Sequence, residues 1–189
     1  MSEQWQWASF IIGIVAFLIA IQPFTQAIWG KPKLVVGFEV ENIADKQTLV
    51  CYIWNLRIRS RLLKMMYIDR SQIDDLSAEF EILSLKGMKR IGNTVRTKIK
   101  TQQGQMTERI TLPASILPAS FPIVIFNQEL AGAYIIDNSK QQALLPSNGM
   151  YVVQLTVYFG HHKKQSLRRF VISGTPQYIY LNSEPFRNT

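Results

Sequence analysis

The residues able to do chemistry in this chain are few, and their spacing limits what that chemistry could be. Two histidines, His161 and His162, stand side by side in GHHKKQS, and imidazole is the side chain best suited to proton transfer or metal ligation near neutral pH. Their neighbours Lys163 and Lys164 oppose a bound cation by like charge, and no carboxylate or cysteine lies close in sequence to complete a ligand set. The pair therefore reads as a solvated turn. Asp69, Asp74 and Asp75 offer carboxylates of the kind a calcium loop uses, but without its regular spacing or its glycine, so a turn or helix cap is the better reading. Cys51 is the single cysteine. It has no intramolecular disulfide partner, which favours a reducing compartment. Glycine-rich phosphate loops, a nucleophile elbow and HExxH are absent from the sequence. The expectation is a protein that is not an enzyme and that uses no cofactor and no metal. A hydrolase with a site dispersed in sequence is the least favoured reading, and His161 or His162 would have to be its base.

Basic residues are the other chemical resource. Lysine and arginine number 21 against 13 acidic residues, for a net charge of +8, and residues 1–30 contribute only Glu3 to that balance. The segment RIRSRLLKMMYIDR, 57–70, places Ile58, Leu62, Leu63, Met65 and Met66 on one side of a helical wheel and Arg57, Arg61 and Lys64 on the other. A short amphipathic helix is expected, although Arg57, Arg59 and Arg61 also continue a strand-like alternation. Its plain use is to cover one end of the folded domain. Its sharper use is contact with an anionic surface through Arg57, Arg59, Arg61 and Lys64, where each cation gains about 1 kcal/mol near anionic lipid. Arg96, Lys98 and Lys100 alternate with Val95, Thr97 and Ile99, as on one solvated strand face. A nucleic-acid track would interleave aromatic side chains with such charge, and none occurs between residues 81 and 120. Nucleic acid is therefore a disfavoured partner, and no small-molecule substrate is evident.

These residues must be positioned by elements, of which the first is the plainest. The run ASFIIGIVAFLIAI and its continuation to Trp29 carry no charged side chain. Residues 8–29 would rise about 33 Å as a helix, against a hydrocarbon core of about 30 Å. Trp5 and Trp7 precede the run and Trp29 follows it, at the depths where indole rings prefer the headgroup layers. A single-pass transmembrane helix over 8–29 is expected, after a short tail of 1–7, with Pro23 kinking it or ending its regular bonding near 19–22. A cleaved signal peptide is the competing reading; it lacks the basic residues such a peptide carries before its apolar run. Lys31 and Lys33, directly after Trp29, place the following domain in the cytoplasm and the N-terminus outside by the positive-inside rule.

Beyond a linker at 30–33, the periodicity changes to the alternation of half-buried strands. LVVGFEVEN at 34–42 sets Val36, Phe38 and Val40 against Gly37, Glu39 and Glu41, and 49–58 sets Val50, Tyr52, Trp54, Leu56 and Ile58 on one face, with Trp54 suited to a core. Further strands are expected at 78–85, 94–100, 108–112, 122–126 and 133–136. Asn148-Gly149 marks a turn, after which Tyr151, Val153, Leu155, Val157 and Phe159 alternate, GHHKKQS turns the chain, and LRRFVIS returns it. This is a β-hairpin with a loop longer than two residues. Pro113, Pro118 and Pro122 suggest a long connection between strands or sheets. The arm NGMYVVQLTVYF resembles the closing strands of immunoglobulin-like and related sandwiches, while the cysteine pair around a buried tryptophan of true immunoglobulin domains is absent. The expected fold is mainly β: one antiparallel sandwich over 34–182, immunoglobulin-like in a loose sense, with one short helix and a C-terminal tail at 183–189. The expected role is a membrane-anchored binding or accessory module with an unidentified protein partner. The alternative is electrostatic binding of anionic lipid or nucleic acid.

Overall fold

Twenty-seven consecutive residues with one charged side chain among them form the first element of the computed structural model, helix α1, Glu3–Trp29. The structure describes residues 3–181 apart from 45, 66–67, 102, 116, 128–131, 138–139, 147 and 174–177. Within Trp5–Trp29 the mean hydropathy of an 18-residue stretch reaches 2.1 with none of that stretch buried, so α1 is long and apolar enough to cross a membrane, a build that an N-terminal signal sequence shares. The helix begins inside the expected tail. It also runs on through Pro23. The ring removes one backbone donor, but the Thr25 hydroxyl donates to the Ile21 and Gln22 carbonyls at 3.2 and 2.9 Å, adding side-chain bonding to the turn around the proline.

The remainder is mainly β, as two antiparallel sheets stacked as a sandwich. In chain order the elements are β1 (Leu34–Ile43), β2 (Lys46–Asn55), α2 (Arg61–Met65), β3 (Ile73–Ser84), β4 (Lys89–Arg96), β5 (Ile99–Lys100) and β6 (Met106–Thr107). They continue as β7 (Ile110–Leu112), β8 (Ala119–Asn127), β9 (Gly132–Asp137), β10 (Lys140–Leu145), β11 (Gly149–Phe159), β12 (His162–Ser173) and β13 (Tyr178–Leu181). The first sheet runs β1-β2-β8-β5-β6, with β9 also paired to β8 and β10 to β9; the second runs β13-β12-β11-β3-β4, with β7 on β3. Residues 182–189, and with them the expected tail, lie outside the described residues.

The core lies between the sheets. Leu49, Cys51, Ile53, Phe121 and Ile123 face it from the first sheet, and Phe80, Ile82, Val153, Leu155 and Phe170 from the second. Phe80 and Phe121 stack across the gap with ring centroids 6.5 Å apart. Deletion of such a buried aromatic to alanine costs about 3–5 kcal/mol.

The fold departs from the sequence expectation in four places. The inward face of β2 is Leu49, Cys51 and Ile53, not the face of Tyr52 and Trp54. LVCYIW is apolar at nearly every position, so alternation could not choose between the faces. Trp54 instead lies across Gly37 of β1, where an added Cβ would meet its ring at 2.8 Å, and stands 5.6 Å from the ring of Tyr52. The strand expected at 94–100 is two strands in different sheets. Its charge trio is divided: Arg96 ends β4 and forks onto Glu79 at 2.9 and 3.1 Å, whereas Lys100 belongs to β5. The β11–β12 hairpin has a two-residue turn, because Phe159 pairs with His162 and Gly160 supplies the positive φ of 55° that such a turn requires. His162, Lys163 and Lys164 are thus strand residues. Finally, Pro122 sits within β8 opposite Val50, at a shift of register, the bulge being the position that tolerates a missing N–H in an inner strand.

Candidate membrane-surface site

Residues 30–33 read as a linker, yet they are clamped at almost every polar group. The Gly30 N–H continues the helical ladder to the Gln26 carbonyl at 2.8 Å, and the Gly30 carbonyl accepts from Ser71 N–H at 2.7 Å. Arg70 Nη1 donates to the Lys31 carbonyl at 3.1 Å, and Gln26 Nε2 donates to the Asp69 carbonyl at 2.8 Å. Lys33 accepts through its carbonyl from Leu56 N–H at 3.0 Å and donates its own N–H to Asn55 Oδ1 at 3.1 Å.

Asn55 is the knot of this clamp. It is 1% exposed, and its Nδ2 donates to the carbonyls of Ser71 at 2.8 Å and Leu112 at 3.3 Å. One side chain therefore ties the end of α1 to β2, to the approach to β3 and to β7. On α1 the half-buried positions Ile21, Gln22, Thr25 and Gln26 share one face, while residues 5–20 are exposed. That face carries the Gln26 contact to Asp69.

The basic segment expected to reach an anionic surface lies against this junction. Helix α2 is confined to Arg61–Met65, shorter than the amphipathic stretch suggested, because Ile58 and Ile68 on either side of it are both buried. Ser60 starts it, accepting from Lys64 N–H through its carbonyl at 3.2 Å, and Ile68 N–H closes it on the Leu63 carbonyl at 3.0 Å. Pinned at both ends, the segment exposes Arg57, Arg59, Arg61 and Lys64. The side chains of Leu62 and Met65, and residue Met66, lie outside the described residues.

The tertiary fold adds cations that the sequence does not place there. The β11–β12 turn reaches the same end of the sandwich, where Lys164 Nζ donates to the Leu34 carbonyl at 2.7 Å, and Lys163, on the opposite face of β12, stands exposed. His161 in this turn and His162 at the start of β12 are both exposed. Among the described residues no three of His, Cys, Asp or Glu lie together as metal ligands. Asp75, expected at a turn or cap, sits instead with φ 53° at a bulge in β3 and holds Arg109 at 3.0 Å. Asp69 Oδ1 accepts from Arg70 N–H at 2.8 Å, and Asp74 Oδ1 from Gln72 Nε2 at 3.0 Å. Trp5, Trp7 and Trp29 are exposed along α1, the first two separated from the last by roughly 35 Å of helix.

The opposite end of the second sheet is apolar on its outer face. Register places Met150 beside Val171 and Val171 beside Tyr180, and Leu85 N–H bonds the Met150 carbonyl at 3.0 Å, so the four side chains form a row across β13, β12, β11 and the end of β3. Met150 is 57% and Tyr180 54% exposed. Met88 is exposed in the adjoining β3–β4 turn, and a groove of about 550 Å³ is lined by Leu85, Lys86, Pro146, Asn148 and Met150. Between the two ends, the outer face is polar and paired: Glu79 holds Arg96 and accepts from Tyr158, and Glu81 accepts from Thr94. No protein-family model, curated protein or solved structure matches the chain.

Cys51 is wholly buried in the core and burial pushes its thiol well above the ordinary value. A thiol so placed is a small apolar packing group rather than a nucleophile. On the outer face, burial and then the hydrogen bond to Glu41 raise the Tyr52 phenol. Asn55, Gly30, Gln26 and Ser71 carried no motif. The one trace of them in the sequence is the polar Asn55 closing an otherwise apolar strand.

Proposed function

We propose that the chain is a single-pass membrane protein whose sandwich is a binding module for another protein, fixed in its pose on the bilayer surface and not an enzyme. The observation that carries this reading is the apolar row of Leu85, Met150, Val171 and Tyr180 at the end of the second sheet remote from α1. β3 alone, twelve residues long, separates that row from the helix junction by roughly 35 Å. A flexible, unbranched methionine beside an aromatic ring is the composition that protein interfaces favour, and solvent gains nothing from its exposure. The clamp at Gln26, Gly30, Lys31 and Lys33 supports a fixed pose, since a module on a loose tether would have no use for so many bonds in a four-residue connection. The sandwich is immunoglobulin-like in a loose architectural sense, a kinship supported by the β11–β12 arm. By the positive charge of Lys31 and Lys33, it lies in the cytoplasm.

A photo-reactive residue placed at Tyr180 or Met150 of the full-length chain in its native membrane tests this. A discrete adduct with one other protein, absent when the probe sits at Gln165 and lost on Met150→Asp, is the expected result. An adduct of twice the chain's own mass would make the partner a second copy. No adduct at either position, with the chain correctly in the membrane, overturns the reading.

A further inference from the structure

We propose that the end of the sandwich joined to α1 is a basic collar that binds anionic phospholipid headgroups of the bilayer that the helix crosses. This rests on the membrane-spanning reading of α1 and goes beyond the protein-binding role of the opposite end. Segments remote in sequence meet there: Arg57, Arg59, Arg61 and Lys64 around α2, Lys31 and Lys33 after the helix, and Lys163 at the β11–β12 turn. All are exposed. Among the described residues none of them has a carboxylate within 4.0 Å, and the ion pairs found are Arg90 with Glu81, Arg96 with Glu79 and Arg109 with Asp75. The three aspartates of this end are already engaged, Asp75 with Arg109, Asp69 with Arg70 N–H and Asp74 with Gln72. Asp69 and Asp74 keep their negative charge, their donors being neutral, but the collar's cations outnumber them and leave an excess of positive charge for a ligand outside the chain.

Position chooses that ligand. Asp69, Arg70 and Ser71, only a few residues beyond α2, bond Gln26, Lys31 and Gly30 at the end of the helix. The clamp thus holds residues 69–71, which follow α2 closely in the chain, against the end of a helix that closes in Trp29, an indole suited to the headgroup layer. Cations held at that depth meet lipid phosphates at no further cost in translational freedom, and each contributes on the order of 1 kcal/mol. Nucleic acid, by contrast, would have to enter the space between sandwich and bilayer, where the described part of α2 presents no aromatic platform for its bases.

The test is amide exchange of the full-length chain in lipid nanodiscs, made once of phosphatidylcholine and once with three parts in ten of phosphatidylserine. Exchange of amides 57–64 and 160–164 is expected to slow by about tenfold or more in the anionic discs, while amides of β8 and β11 are unchanged. The difference should shrink at 1 M salt, where charges are screened within about 3 Å, and vanish for the variant Arg57→Gln, Arg59→Gln, Arg61→Gln, Lys64→Gln. Equal exchange in both discs overturns the collar alone. A chain that elutes free of discs overturns the membrane reading and the collar with it. Greater protection by a single-stranded RNA in neutral discs than by phosphatidylserine would assign the surface to nucleic acid and also overturn the proposal.

Discussion

Asn55 makes the most demanding set of bonds in the chain, two donated to main-chain carbonyls and one accepted from Lys33 N–H. Asn55→Ala removes all three bonds and leaves the Leu112 carbonyl buried without this partner, and a loss of about 2–4 kcal/mol is expected in urea unfolding. Asn55→Asp should do no better, because a carboxylate accepts from Lys33 but cannot donate to Ser71 or Leu112; an unchanged midpoint for either variant would show the knot to be dispensable. Titration gives a second expectation. Burial raises the Cys51 thiol above its usual 9.0 and raises the phenols of Tyr151 and Tyr52 above 10.0. Groups raised on folding stay protonated in the native state while the unfolded chain releases its protons, so stability is full below about pH 9 and falls as pH climbs beyond it. Unfolding free energy measured at pH 8, 9 and 10 should decline across the last step, and Cys51→Ala should flatten part of that decline. The sequence showed that Cys51 was solitary. That it is buried and inert follows from the face of β2 that turns inward.

At the level of elements, the junction of α1 with the sandwich depends on a glycine. A Cβ on Gly30 would lie 2.5 Å from the Gln26 carbonyl oxygen, so Gly30→Ala must displace either the last helical turn or the bond from Ser71. Amide exchange at Ser71 is expected to quicken by about tenfold, the equivalent of one hydrogen bond of about 1.4 kcal/mol. Exchange as slow as in the parent would mean the helix end tolerates the methyl and the clamp is looser than its geometry implies. The helix itself was legible from twenty-odd uncharged residues, but its passage through Pro23 was not, because a proline inside an apolar run reads as a kink or an end. The β11–β12 turn is shorter than its residue types suggest. Histidine, lysine and glutamine look like loop residues, and only the pairing of Phe159 with His162 shows that they extend two strands beyond the core edge, where polar side chains are free to face water.

At the scale of the whole molecule, the sandwich has two unlike ends, one basic and joined to α1, the other apolar and remote from it. Its orientation is checked by Cys51→Ala combined with an added C-terminal cysteine and a membrane-impermeant thiol reagent. Labelling only after lysis is expected for a cytoplasmic sandwich; labelling of intact cells would put the module outside and remove cytosolic proteins as partners. Cys51 itself cannot serve as the probe, being buried. The sequence by itself determined the apolar helix, the mainly β character and the excess of positive charge, because each depends on residue type summed over a local stretch and survives any arrangement of the strands. Tertiary structure alone decided which face of β2 is core, that residues 94–100 divide between two sheets, and that Lys163 joins Arg57 and Lys31 at one end while Met150 and Tyr180 meet at the other. Those facts depend on pairings between residues tens of positions apart, and no periodicity along the chain encodes which strands will become neighbours.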